Sequence, residues 1–231
     1  VAPKDFSEQM GCLSESGFKG TSLREALAHR SATGFWPERT VVLTFDDGFA
    51  NFYEKAWPVL QQYGFKATVF VISGYMGKQN DWAPPPPALG MRDILSWEQA
   101  TELSLNGIEI GSHTQTHRDL SRCSEWEVQR EVIDSRAEIE DHLAMPVETF
   151  AYPYGATDPV SLGYVERTFQ AACTTVLKEV NGEALHSLPR IDVYYLKSPG
   201  AITKLLDGQL NKYLAVRHWA RVARRALLPS H

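Results

Sequence analysis

Cysteine is scarce in this chain of 231 residues: Cys12, Cys123 and Cys173 are the only three, an odd number at wide spacing. That argues against a disulfide framework and a thiolate zinc site, and leaves three small side chains for burial. Long apolar runs are missing too, since nothing approaches the roughly 18 residues of a membrane-spanning helix. There is no excess of positive charge: 23 Lys and Arg stand against 28 Asp and Glu, for a net charge of −5, which disfavours nucleic acid as the main partner. The first residue is Val1 and no signal peptide is visible, so the chain reads as trimmed at its start. What is present, 43% apolar residues, suits one globular domain with a sizeable core, with or without appendages.

Apolar, β-branched runs alternate with helical patterns, the signature of a parallel α/β sheet or barrel. Strands are expected at residues 40–45, 67–72, 108–111, 147–151, 171–176 and 191–193. Helix starts are marked by Ser22 with Glu25, Ser96 with Gln99 and Ser124 with Glu127, each spaced as a capping box. Asp158 before Pro159 is a fourth. After Ser124, Val128, Val132, Ile139 and Leu143 fall on one helical face, which should pack on the sheet. The long connection from residue 74 to 92 contains four consecutive prolines, residues 84–87, and reads as a substrate-facing or disordered loop.

Two polar runs stand at predicted strand ends, where an α/β sheet or barrel places its chemistry. Asp46-Asp47-Gly48 follows Val41-Val42-Leu43-Thr44-Phe45, and His113-Thr114-Gln115-Thr116-His117 follows Ile108-Glu109-Ile110-Gly111-Ser112. Gly48 allows the tight turn that presents two adjacent carboxylates. A helical turn after His113 would put both imidazoles on one side, within reach of one ion. Asp47 would be the third ligand, leaving Asp46 free as a general base. Alone, an Asp-Asp-Gly is more often a surface turn, and a His-x-x-x-His more often a solvated helix face. Together at two strand ends they point to a metal.

The flanking residues extend the pattern. Leu43-Thr44-Phe45-Asp46-Asp47-Gly48, Ala67-Thr68-Val69-Phe70-Val71, Gly111-Ser112-His113-Thr114 with His117, and Phe150-Ala151-Tyr152-Pro153-Tyr154-Gly155 occur in the order seen in polysaccharide deacetylases with the NodB homology domain, carbohydrate esterase family 4. The resemblance runs from about Phe6 to about Val193. It implies a distorted (β/α) barrel of about seven parallel strands, incomplete at its N-terminal edge because a first strand common in relatives would lie before Phe6. It also implies removal of acetyl groups from N-acetylated sugars of a polysaccharide or oligosaccharide, with one divalent metal, Zn2+ first and Co2+, Ni2+ or Mn2+ as alternatives. Residue by residue, Asp46 matches the base, Asp47, His113 and His117 the ligands, and Pro153-Tyr154 the segment whose Tyr154 N–H helps hold the oxyanion.

Three departures accompany the resemblance. Ala151 stands where many members carry an arginine that pairs with the base. Arg190, in Leu188-Pro189-Arg190-Ile191-Asp192-Val193, is the expected substitute, although it could instead cap a strand end or pair with Asp192. No residue matches the family's late general-acid histidine: His186 comes too early, and His218 sits in a basic pattern. The missing first strand is the third.

Among aromatics, Tyr75, Trp82 and Tyr154 are candidates for stacking on sugar rings, with loop packing an equal alternative for Trp82; Trp57 is expected in the core. Residues 1–198 are read as the deacetylase domain and 199–231 as a basic amphipathic helical extension. Its Lys204, Lys212, Arg217, Arg221, Arg224 and Arg225 could touch an anionic membrane or polymer, or lie in water with the helix docked on the barrel. An extracytoplasmic location is favoured over a cytoplasmic one. Two other functions use the same residues: an inactive carbohydrate-binding module of this fold, and a two-histidine, one-carboxylate iron oxygenase.

Overall fold

A computed structural model describes residues 1–82, 90–197 and 200–209. In chain order its elements are α1 (Pro3–Glu15), β1 (Lys19–Thr21), α2 (Leu23–Thr33), β2 (Thr40–Val42), β3 (Thr44–Phe45), α3 (Trp57–Gln62), β4 (Thr68–Val71), α4 (Trp97–Leu105), β5 (Glu109–Ser112), α5 (Glu125–Gln129), α6 (Ser135–Leu143), β6 (Thr149–Ala151), α7 (Pro159–Thr168), β7 (Ala171–Leu177), β8 (Leu188–Arg190) and α8 (Ala201–Leu206). Strands β3 to β8 form a six-stranded sheet in sequence order, and β1 pairs with β2. All these pairings are parallel. The sheet curls into a half-barrel, one strand short of the expected seven, and the run 40–45 is shared: Val41 pairs with Gly20, and Phe45 with Val69.

Side chains alternate between the faces of each strand with a period of two. Phe70, Ala151, Ala171, Cys173 and Leu188 point inward and join Leu23 and Leu27 of α2. Val69, Val71, Ile110, Phe150 and Ala172 face outward, in a cluster with Leu60, Leu103, Val128, Val132, Ile139 and Val165 from the surrounding helices. The predicted apolar face of the helix after Ser124 is thus buried, including Leu143, and so is Trp57. Gly111 is required by the interior: a Cβ there would lie 2.6 Å from the Phe70 ring. Burial holds for Cys173, whereas Cys12 and Cys123 are half-buried.

All four predicted cap residues accept a backbone N–H at a helix start: Ser22 from Glu25, Ser96 from Gln99, Ser124 from Glu127 and Asp158 from Ser161. Other boundaries differ. The last strand is Leu188–Arg190 rather than residues 191–193, because Asp192 caps a 3-10 turn, Val193–Leu196, by accepting from Tyr194 N–H. The helix after Ser124 passes through a π-helical turn, Arg130–Asp134, between α5 and α6. His186 is half-buried, with Nε2 2.8 Å from the Phe169 carbonyl. Beyond α8, the expected basic helix lies outside the described residues from residue 210 on, as do His218 and the prolines at 84–87.

The amino end of the sheet is sealed by a buried carboxylate. Glu109 accepts from the hydroxyls of Thr68 and Thr149, each at 2.6 Å, and from Arg24 N–H in the first turn of α2 at 2.8 Å. The first backbone donors of a helix have no intrahelical partner, and a carboxylate there also complements the helix dipole. Glu109 thereby joins three strands to α2. A cleft of about 700 Å³ follows the seam between the first and last strands, lined by Phe6, Val41, Phe45, Leu188 and Ile202.

Candidate metal centre and catalytic site

The polar residues gather at the carboxyl ends of β3, β5, β6 and β8. Asp47 and Gly48 leave β3 with positive φ, 71° and 69°. This turn directs Asp47 away from its neighbour Asp46 and toward β5. There, Nε2 of His113 and Nε2 of His117 lie 3.4 and 3.3 Å from the same Asp47 Oδ1. One donor atom from each of the three residues lies within 4.8 Å of the others. Two imidazole nitrogens and a carboxylate oxygen, brought together and largely shielded from water, fit a divalent metal with coordination positions left for water and substrate.

The histidines converge through a loop, not through the expected helical turn. Thr114 and His117 both take left-handed conformations, φ 68° and 60°. Such conformations cost ~1–3 kcal/mol each, and a β-branched threonine is a poor residue for one. Thr114 Oγ1 accepts from His117 N–H at 2.9 Å. The buried Glu131, in the π-helical turn, accepts from Gln115 N–H at 3.0 Å, from Thr116 N–H at 2.8 Å, and from the Thr116 hydroxyl. Each hydrogen bond to a charged acceptor contributes ~1.5–3 kcal/mol, enough together to offset the strain.

His113 Nδ1 lies 2.6 Å from the Ala151 carbonyl. This contact sets the tautomer, with Nδ1 as donor and Nε2 free to bind a metal. His117 Nδ1 is buried with no hydrogen-bond partner among the described residues. Its ring is instead enclosed by Trp82 and Tyr154, with centroids 5.0 and 4.9 Å away. Trp82 is 2% exposed and meets Tyr75 edge to face, so its ring is packed behind His117 and offers no open face. Tyr75 is half-buried, whereas Tyr154 is 49% exposed.

Asp46 has a different partner. Arg190, at the end of β8, grips both its oxygens, with Nη1 to Oδ1 at 2.7 Å and Nη2 to Oδ2 at 2.8 Å. The guanidinium is fixed in turn by Nε donating to the Thr174 carbonyl at 3.0 Å. Ala151 is fully buried and packs in the interior cluster with Phe70 and Cys173.

Charge follows the geometry. Burial pushes the Asp46 carboxyl up, but Arg190, helped by His113, outweighs it and holds the group below the usual carboxylate range. Burial acts on Asp47 likewise and is overcome by hydrogen bonds from His113 and His117, leaving Asp47 well below that range. His117 is pushed down, by burial first. His113 is opposed by burial yet raised by Asp47 and Asp46. Both carboxylates are therefore ionised at neutral pH, and His117 is held neutral, the form that binds metals.

A match to the family described as polysaccharide deacetylase spans residues 35–170. The chain belongs to the polysaccharide deacetylase family. Among its relatives is YxkH of Bacillus subtilis (strain 168), 30% identical over 202 residues, covering 87% of this chain and 66% of that protein. The poly-beta-1,6-N-acetyl-D-glucosamine N-deacetylase of Staphylococcus aureus (strain MRSA252) is 27% identical over 176 residues, 72% of this chain and 58% of that enzyme. The chain thus spans less than two thirds of the length of either. The structure of the Streptococcus pyogenes deacetylase PplD in complex with acetate superposes with a TM-score of 0.71, at 27% identity over 82% of this chain and 80% of that one. IcaB from Ammonifex degensii shares the fold, with a TM-score of 0.74 at 24% identity over 91% and 90% of the two chains.

Within this deacetylase domain, sequence reasoning missed Glu131, the Ala151 carbonyl and Thr174. Two of these contacts are made by backbone oxygens, which carry no residue-type signal. Glu131 could have been noticed as a charge one residue from the apolar Val132 on the helix face that packs inward.

Proposed function

We propose that this chain hydrolyses acetamido groups on a polysaccharide or oligosaccharide of N-acetylated sugars, using one divalent metal, zinc in the first instance. The observation that carries this reading is the division of labour between adjacent carboxylates: Asp47 faces two imidazoles, while Asp46 is held apart by Arg190. Asp47, His113 and His117 would hold the ion, which supplies Lewis acidity and lowers the pKa of water.

Asp46 accepts the proton of the attacking water. Arg190 keeps that carboxylate ionised and aligned, contacting both oxygens in a geometry specific to the guanidinium. Tyr154 N–H donates to the oxygen that becomes negative as the carbonyl carbon turns tetrahedral. A donor of this kind contributes ~2.7–4 kcal/mol. Tyr154 has φ 60°, and its carbonyl accepts from the Thr175 hydroxyl at 3.1 Å, which fixes that peptide segment. Collapse breaks the C–N bond as the proton taken up by Asp46 passes to the departing nitrogen, releasing acetate and a free amine. The exposed Tyr154 ring is the candidate sugar contact beside the site. The Asp46–Arg190 pair favours hydrolysis over both an inactive binding module and an iron oxygenase, neither of which needs a poised base.

The test is acetate release from β-1,6-linked N-acetylglucosamine oligomers, chitin oligomers and an acetylated exopolysaccharide. Metal-loaded protein should release acetate from at least one, chelator should abolish it, and Asp46→Asn should lower it by ~100-fold to 10,000-fold. No acetate from any substrate, or full activity in Asp46→Asn, would overturn the reading.

A further inference from the structure

We infer that Glu131 is a positioning residue for the metal centre: it holds the 113–117 loop in the left-handed conformation that brings His117 to Asp47. The inference rests on the metal reading above and adds to it a residue outside the motifs.

Glu131 is 5% exposed; the Arg118 guanidinium acts on it only through space, and a carboxylate so buried is costly unless donors surround it. The donors all come from one short segment: Gln115 N–H, Thr116 N–H and the Thr116 hydroxyl. That segment lies between two residues in strained conformations, Thr114 and His117, and the second is a ligand.

The π-helical turn, Arg130–Asp134, shifts the helical register between Val128 and Ser135. This local irregularity accommodates a carboxylate beside Val132 on the buried side of the helix, and π-helical turns are often kept where a site needs them. The same helix makes two further contacts with this rim. Ser135 Oγ meets Ser112 Oγ at 2.8 Å, and Glu138 accepts from the Ser73 hydroxyl at 2.6 Å. Ser73 and Gly74 N–H donate to the carbonyls of Thr114 and Gln115 at 3.2 and 3.0 Å. The ligand loop is thus gripped from two sides, by backbone on one and by Glu131 on the other. The first grip needs glycine at position 74, where a Cβ would lie 2.6 Å from the Gln115 carbonyl oxygen; the second needs the Glu131 carboxylate. His117 has no hydrogen bond to orient it through Nδ1, so its placement depends on the loop backbone in a way that His113, fixed by the Ala151 carbonyl, does not.

The experiment compares wild type, Glu131→Ala and Glu131→Gln by Zn2+ titration against a chromogenic chelator. Hydrogen exchange of the Gln115 and Thr116 amides is followed in the metal-free proteins, with circular dichroism as the check on folding. The expected result is Zn2+ affinity lower by ~10–100-fold in Glu131→Ala, faster exchange at both amides, and an unchanged spectrum. Glu131→Gln keeps one acceptor oxygen and should fall between the two; it also serves if the alanine variant fails to fold. Unchanged Zn2+ affinity in a folded variant would overturn the role of Glu131 while leaving the metal site standing. No Zn2+ binding by wild type would instead overturn the metal reading, and this inference with it.

Discussion

The two ends of the sheet each bury carboxylates, and they use them differently. At the amino end, Glu109 accepts from two hydroxyls and one amide and joins regular elements, with a helix docked squarely on three strands. At the carboxyl end, Asp46, Asp47 and Glu131 sit among strained turns. Of the six non-glycine residues with positive φ among those described, Asp47, Thr114, His117 and Tyr154 lie there. The amino end is built to persist. The carboxyl end spends conformational energy on bringing like charges and ligands together, a pattern expected where geometry serves chemistry.

Substitutions on the two ends should therefore separate activity from stability. The largest effect is expected from Arg190→Met, which leaves Asp46 partly desolvated and unpaired. Its carboxyl should rise, so the acidic limb of the kcat/KM profile moves to higher pH and acetate release near neutrality falls by ~100-fold or more, as expected when a general base is lost. A profile that stays in place would remove Arg190 from the mechanism. Glu109→Ala comes next, as the opposite case. It strands two hydroxyls and an amide, each unsatisfied group costing ~1–3 kcal/mol, so the urea midpoint should drop sharply while acetate release per folded molecule is unchanged. Lost activity in the folded fraction would mean that the two ends are coupled.

The smallest effect is on acid stability. Asp46 titrates lower in the folded chain than its ordinary 3.8, so its stabilisation is fully present above that value and is lost as pH falls through the folded one. In metal-free protein, the difference in urea midpoint between wild type and Asp46→Asn should shrink below about pH 4. A constant difference would mean that Arg190 does not hold Asp46 in solution.

Much of this contrast was legible in the sequence. Ser96 and Ser124 announced their helices because capping is local, and Asp46, Asp47, His113 and His117 stood out because rare residue types met at strand ends. β1 was missed because three residues, Lys19–Thr21, carry too little periodicity. The Arg190 contact was one of several that sequence allowed, and the choice depended on how far the sheet curls. The turn after His113 was misjudged because four-residue spacing suits a helix, whereas two left-handed residues held by the distant Glu131 reach the same end.

The Asp46–Arg190 pair joins residues 144 positions apart, across the seam between the first and last strands of the six-stranded sheet. All three ligands have been synthesised by residue 117, but the partner of the base comes only with β8. On the proposed mechanism, the residues that would hold the metal are thus made well before the partner of the base. On that mechanism a chain ending short of residue 190 would carry the three candidate ligands without the guanidinium that holds Asp46 ionised.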